Sequence, residues 1–397
     1  MTGAQSITEP TSARDLGRRL TPLDAHRGLI MVLMAIDHAS YFIARVHSAE
    51  FWGTALPAYP SVFWFCTRWI THLCAPGFFF LMGIGMTLFA VSHLKAGWGE
   101  SRITRFFVIR GLFLILLQVL VEDTAWNVGD LFVDPGVMVF RGGGVPGGGT
   151  AGMVYLGVLF ALGGAMVFWA FMRRAPLWLI GLISLASVIT TQFVTPGSDH
   201  TRTLYPPLVR MLMIPGHTNI WVVFYPVVPW LGATGMGLLF GELLERDAYR
   251  ASRVAGWMGL GFLMLFVILR AIGRCGDLHE VPAGVMGFLN VTKYPPSLDF
   301  LTVTMGMNLL LMAFWKRIGP HFQNDYHPLS VFGRVPLFFY LLHLWVFGLL
   351  GLFSTGGSGL VTMYGFWLLG LLILYPLCYW YNGFKHRKLL TSLWSFF

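Results

Sequence analysis

Apolar residues in this chain fall into long, nearly unbroken runs, not into the alternating or one-faced patterns of water-soluble elements. Ten runs approach or exceed the roughly 20 residues that an α-helix needs to cross about 30 Å of hydrocarbon. They cover residues 29–46, 62–94, 103–121, 150–172, 176–193, 219–243, 254–271, 298–315, 329–353 and 360–381. The pattern predicts an all-α fold, a polytopic integral membrane helix bundle with about ten transmembrane helices. The second run is too long for one upright span. It is expected to tilt, to kink at Pro76, or to begin as a helix lying in the interface.

Composition narrows the class further. Only 11% of the 397 residues are charged, 56% are hydrophobic, and the mean hydropathy is +0.66. A soluble domain carries about 25% charged residues, so soluble enzymes and soluble nucleic-acid binders are excluded. The net charge of +9 therefore points to basic loops at a membrane surface, not to nucleic acid. With ten spans, nineteen of the 27 basic residues fall on one side and seven on the other, with Arg68 inside a run. The positive-inside rule then predicts cytoplasmic N- and C-termini. Residues 1–20 are polar, contain Arg14, Arg18 and Arg19, and lack the apolar core of a signal peptide. They read as a disordered cytoplasmic tail, 21–385 as the transmembrane domain, and 386–397 as a cytoplasmic C-terminal segment. Cys66, Cys74, Cys275 and Cys378 show no zinc-ligand spacing, so neither a metal site nor a disulfide framework is expected. The glycine-rich stretch 141–149 could form an amide nest for an anion, though a flexible outer loop is the favoured reading.

Ionisable groups inside spans are few, and they carry the chemistry. Such groups are expensive in hydrocarbon and face a bundle interior or a wet cavity. The first span places Arg27 at one interface and His38 eleven residues further on, about 16 Å deeper. Asp37 adjoins His38 in sequence but points about 100° away around the helix. Arg68 and His72 share a face of the second run, and Pro76 leaves the His72 carbonyl without its helical donor. A cavity wall and a simple proline kink with a snorkelling arginine both fit that pair. In the ninth run His343 lies about 13 Å in from Arg334. A second or third histidine at that depth argues for one shared polar site.

The segment from Leu23 through Asp24, Arg27 and Gly28 to His38 resembles the Arg–ten residues–His signature of integral-membrane acyltransferases. Three further segments are similar to bacterial members of the heparan-α-glucosaminide N-acetyltransferase-like family. They run from Thr67 through Arg68, His72 and Pro76, from Lys293 and Tyr294 to Ser297, and from Gly333 through Tyr340 to His343. The resemblance extends from about residue 20 to 385. It implies ten or eleven membrane helices, acetyl-CoA or another acyl-CoA supplied from the cytoplasm, and a glycan or amino-sugar acceptor at the opposite face. The expected setting is a bacterial cytoplasmic (inner) membrane, with lipids as surroundings. The oligomeric state stays open, a homodimer being one option. One departure concerns the base. Lysosomal members carry Asn at the position of His38 and a histidine about eleven residues later, where this chain has His47 nine residues on. Either His38 or His47 can serve, and the broader signature favours His38.

On this reading His38 is the general base that takes the proton of an attacking amine or hydroxyl. Asp37 is a candidate orienting group, although the helical offset works against it. His72 or His343 is a candidate donor to the thioester oxygen. Arg27, Arg68, His343, Lys293 and Tyr294 are the candidate cofactor-binding residues. The Arg102, Arg105 and Arg110 group is better explained by topology. Intramembrane Asp and His with proline-broken helices also fit a proton-coupled transporter or flippase, and a non-catalytic scaffold is the third possibility. Release of free CoA thiol from acetyl-CoA separates the first reading from the others.

Overall fold

The computed structural model describes residues 13–130, 146, 154–197, 200, 203–273, 275–318, 324, 326–354 and 357–386. The glycine-rich stretch lies outside the described residues except for Pro146. The first half of the chain forms α1 (Ala13–Phe42), α2 (Val62–Thr71), α3 (Cys74–Lys95), α4 (Glu100–Leu117), a π-helical turn (Gln118–Glu122), α5 (Asp123–Asp130), β1 (Val154–Leu156), α6 (Val158–Met172) and α7 (Leu177–Val194). The second half forms α8 (Pro207–Leu212), β2 (Gly216–His217), β3 (Trp221–Val223), α9 (Val228–Arg246), α10 (Ala248–Ile272), α11 (Gly284–Leu289), α12 (Leu298–Ile318), α13 (Pro328–Arg334), α14 (Pro336–Gly351) and α15 (Leu360–His386). Helix α1 begins at Ala13, inside the segment that composition marks as a disordered tail.

Every one of the ten apolar runs contains a helix. Among the described residues, six helical stretches are long and apolar enough to cross a membrane, and the pair α13–α14, bent by 103°, makes a seventh if taken as one span. Helices α7, α10 and α15 stand at the periphery, where they expose apolar side chains such as Leu185, Phe193, Trp257, Met264, Leu372 and Trp380. Water would penalise that surface and lipid would cover it. Helices α3 and α12 lie mostly buried in the middle.

Close backbone approach sets the geometry of the centre. A Cβ on Gly83 of α3 would come within 2.1 Å of the Thr234 carbonyl of α9, and one on Gly237 would meet the Phe80 carbonyl at 2.1 Å. Small residues at such crossings let membrane helices pack without a hydrophobic driving force.

The second run is interrupted at His72 and Leu73, between α2 and α3, and not at Pro76, which lies inside α3. Asn308 of α12 pins it by donating from Nδ2 to the Leu73 carbonyl at 3.1 Å and to the Thr304 carbonyl at 2.8 Å. The Asn308 Oδ1 accepts from His26 Nε2 at 2.9 Å, and Trp315 Nε1 donates to His26 Nδ1 at 3.1 Å. All three side chains are thereby satisfied, as burial in hydrocarbon requires.

The all-α expectation needs one correction. A small three-stranded sheet forms in the order β1–β3–β2, with β1 parallel and β2 antiparallel to β3. Strands of two or three residues are too short to show the alternation by which a strand is read from sequence. The sheet has a local purpose. Both backbone groups of Tyr155 are held by the neighbouring helical turns, its carbonyl by Gln118 Nε2 at 3.1 Å and its N–H by Asp123 Oδ1 at 2.7 Å.

Candidate active site

Two cavities lie end to end in the bundle. The inner one, of about 50 Å³, is bordered by Asp37, His38, His47, Glu122, Trp126, Tyr155, Lys293, Tyr294 and Tyr340, among others. The larger one, of about 310 Å³, has Arg27, Arg110, Arg334 and Lys385 in its wall, and otherwise mostly apolar side chains such as Met31, Met86, Phe107 and Leu159. Phe78 and Tyr340 border both cavities. Their rings stand 6.5 Å apart and nearly perpendicular, so this aromatic pair marks the junction.

Helix α1 supplies the polar centre. Asp37 and His38 diverge around the helix as the 100° step requires. His38 turns toward α14, where its Nδ1 lies 2.5 Å from His343 Nε2. The protonation pattern follows from what His343 does on its other side. Its Nδ1 faces two backbone carbonyls, Tyr340 at 2.5 Å and Phe339 at 3.1 Å. A carbonyl can only accept, so His343 Nδ1 carries the proton, and in the neutral ring Nε2 is then an acceptor. His38 must therefore donate from Nδ1, which leaves its Nε2 with a lone pair. Among the described residues that Nε2 takes no hydrogen bond, and His38 borders the inner cavity. Trp126 packs edge-on against the ring at 5.1 Å and fixes its plane.

Asp37 turns the other way and meets Arg68. The Arg68 fork is fully engaged: Nη1 donates to Asp37 Oδ1 at 2.5 Å, while Nε and Nη2 donate to the two Glu50 oxygens at 2.9 and 2.7 Å. Planar guanidinium suits such bidentate pairing. Burial alone would raise the Glu50 carboxyl, but Arg68 and His72 hold it well below the ordinary carboxylate range. His72 Nε2 stands 3.5 Å from Glu50 Oε1, behind the cluster and off the cavity wall. Burial pushes His47 down to about 4, with Asp37 opposing.

The loop between α1 and α2 clamps the Lys293–Tyr294 turn. The Glu50 carbonyl accepts the N–H groups of Lys293 and Tyr294, each at 3.0 Å, and Trp52 N–H donates to the Tyr294 carbonyl at 2.9 Å. Asp277 braces the same turn by accepting from Thr292 N–H at 3.2 Å, and Arg270 donates to Asp277 at 3.0 Å. The Lys293 ammonium lies over the Tyr294 ring at 5.0 Å, where the ring face favours a cation.

The structure thus gathers His38, Asp37, His47, Lys293 and Tyr294 around one cavity. His343 stands one layer behind His38, and Arg68 and His72 stand behind Asp37 and Glu50. Arg27 belongs to the other cavity, with Arg110, whereas Arg102 stacks on Trp98 at 3.8 Å. Sequence reasoning missed Glu50, Glu122, Trp126, Tyr340, Arg334 and Lys385. The only available signal for Glu122 was its place four residues after Gln118 at the end of an apolar run. Among the described residues no group of three or more His, Cys, Asp or Glu side chains could hold a metal ion.

Residues 19–275 match the family described as "Heparan-alpha-glucosaminide N-acetyltransferase, catalytic". No curated protein matches the chain.

Proposed function

The chain belongs to the heparan-alpha-glucosaminide N-acetyltransferase catalytic family, and from that premise we propose that it transfers an acetyl group from acetyl-CoA to an amine or hydroxyl of a glycan or amino sugar. The single observation that carries the reading is the cavity pair. A basic-walled apolar cavity meets, at Phe78 and Tyr340, a second cavity on which His38 presents an unprotonated nitrogen.

Acetyl-CoA fits that pair by chemistry. Arg27, Arg110, Arg334 and Lys385 are suited to its phosphates, and the apolar wall beyond them to its pantetheine arm. Arg68, engaged by two carboxylates, is better suited to holding Asp37 than to binding phosphate. The acceptor enters the inner cavity from the other end. Its nucleophilic atom attacks the thioester carbonyl carbon while His38 Nε2 takes its proton, a contribution of roughly 10²–10⁴-fold. The C–S bond then breaks, and the proton held by His38 passes to the CoA sulfur. His343 keeps His38 in the tautomer that can do this. Lys293 is the cation available to offset negative charge developing on the carbonyl oxygen.

The membrane arrangement follows. Ten or eleven spans with both termini in the cytoplasm put the basic-walled cavity on the cytoplasmic side, where acyl-CoA is made, and the acceptor on the opposite face. A bacterial inner membrane suits that polarity. The test is direct. Purified protein given acetyl-CoA and glucosamine should release CoA thiol, and His38→Ala should abolish release while leaving the melting temperature within a few degrees. A transporter would bind without releasing thiol.

A further inference from the structure

Another cavity, of about 290 Å³, lies among helix ends and shares no lining residue with the pair described above. Arg173 and Arg174 reach it from just past the end of α6, Glu100 is the first residue of α4, and Glu242 stands near the end of α9. Val91 and Leu94 of α3 give it an apolar side. The acetyl-transfer steps use none of these residues. Glycine crossings hold the surrounding helices in pairs. One joins α3 to α9, and the other joins α4 to α6, where a Cβ on Gly163 would come within 2.4 Å of the Gly111 carbonyl. The cavity lies between the two pairs.

Its charges are incompletely matched from within. The Arg173 side chain is 8% exposed, and buried donors normally find acceptors. Nη2 donates to Glu100, Nε is buried with no partner, and among the described residues Nη1 meets no acceptor. The guanidinium lies over the Phe107 ring, 6.0 Å from its centroid. Arg174 follows, exposed and without an ion pair among the described residues. Two adjacent guanidinium groups with donors to spare suit a phosphate. Glu242 stands 3.6 Å from Arg246, too far for a good hydrogen bond, so its oxygens can accept from a ligand. Two arginines and two glutamates balance, which matches a ligand carrying one charge of each sign better than a bare anion.

Depth selects the source of such a ligand. The ends of membrane-spanning helices lie at the level of lipid headgroups. Trp178, the second residue of α7, is 70% exposed here, and Phe171 in the last turn of α6 is exposed beside it in sequence; tryptophan gathers at the membrane interface. Basic pockets between membrane helices hold lipid headgroups. We propose that this cavity binds the phosphoethanolamine headgroup of a membrane phospholipid, with the phosphate on Arg173 and Arg174, the ammonium on Glu242, and an acyl chain against Val91 and Leu94. It does so whether or not acetyl transfer takes place, provided that the chain lies in a bilayer. A choline headgroup has no N–H to give Glu242, and a glycerol headgroup has no positive charge.

Native mass spectrometry tests this on the full chain, released from nanodiscs holding equal parts of phosphatidylethanolamine, phosphatidylcholine and phosphatidylglycerol. Wild type is expected to retain phosphatidylethanolamine several-fold over either rival. Arg173→Gln combined with Arg174→Gln should lower that retention by about tenfold, the scale of charge-assisted hydrogen bonds. Glu242→Gln should erase the preference over phosphatidylglycerol. If the double variant is not recovered folded, Arg174→Gln alone, at an exposed position, should weaken retention several-fold. Acetyl-CoA at saturating concentration should leave the lipid in place. Equal retention of the three lipids, or variants that keep the wild-type preference, would overturn the proposal. So would soluble glycerophosphoethanolamine binding as tightly as the lipid, which would make the cavity a site for a free phosphate ester, and displacement of the lipid by acetyl-CoA, which would give the cavity to the nucleotide.

Discussion

Two buried clusters flank helix α1, and they differ in how completely their charges are matched. On one side Arg68 serves Asp37 and Glu50 with three hydrogen bonds of 2.5–2.9 Å. On the other, His38 presents to the inner cavity a ring nitrogen that takes no hydrogen bond among the described residues. Buried polar groups are normally satisfied, and a saturated charge cluster has little left to offer a substrate. On the proposed reading the contrast assigns architecture to the first cluster and chemistry to the second, although Asp37 and Arg68 of the first and His38 of the second all lie within the motifs that the sequence resemblance singles out.

The sharpest way to break this comparison is to exchange the phenotypes. Arg68→Ala strands two buried carboxylates, which costs about 3–5 kcal/mol, and folded protein should be lost from the membrane fraction. Folded, stable Arg68→Ala that lacks only activity would place Arg68 in the chemistry instead. His38→Ala should do the reverse, with kcat down by about 10²–10⁴-fold in a protein that purifies and melts normally. His343→Phe removes the acceptor that fixes the His38 tautomer, and kcat should fall by about tenfold or more while KM for acetyl-CoA stays level. Arg110→Ala removes one group suited to phosphate in the larger cavity, so KM for acetyl-CoA should rise several-fold with kcat retained, an effect of about 1–2 kcal/mol.

A further expected effect is on the pH dependence of stability. Burial holds His47 down to about 4, against about 6.5 when unfolded. A group with a lowered folded-state value contributes stability that is present above the unfolded value and fades as the pH falls toward 4. Melting temperature should therefore slope downward between about pH 6.5 and 4, and His47→Gln should flatten part of that slope. An unchanged slope would mean that His47 is not buried in its neutral form.

How much of this was legible in the sequence depends on which residue is asked about. The divergence of Asp37 from His38 was readable because a helix turns by about 100° per residue. The pairing of His38 with His343 was not, since it joins residues 305 apart in sequence and no spacing rule reports on which helices touch. Glu50 was hidden in a loop that has no periodicity to read. Glu122 stood just past an apolar run, where it looked like the start of a loop. A π-helical turn shifts the register there, and no pattern of apolar spacing announces one. The short sheet was illegible for the same reason of length, yet it positions Tyr155 on the cavity wall.

The account as a whole turns on where CoA lies relative to the imidazole of His38. A cryo-electron microscopy map of the full chain with CoA bound should show the phosphates among Arg27, Arg110, Arg334 and Lys385, and the thiol passing Phe78 and Tyr340 to face His38 Nε2. A map with the thiol pointing to lipid, or with CoA seated away from both cavities, would contradict it.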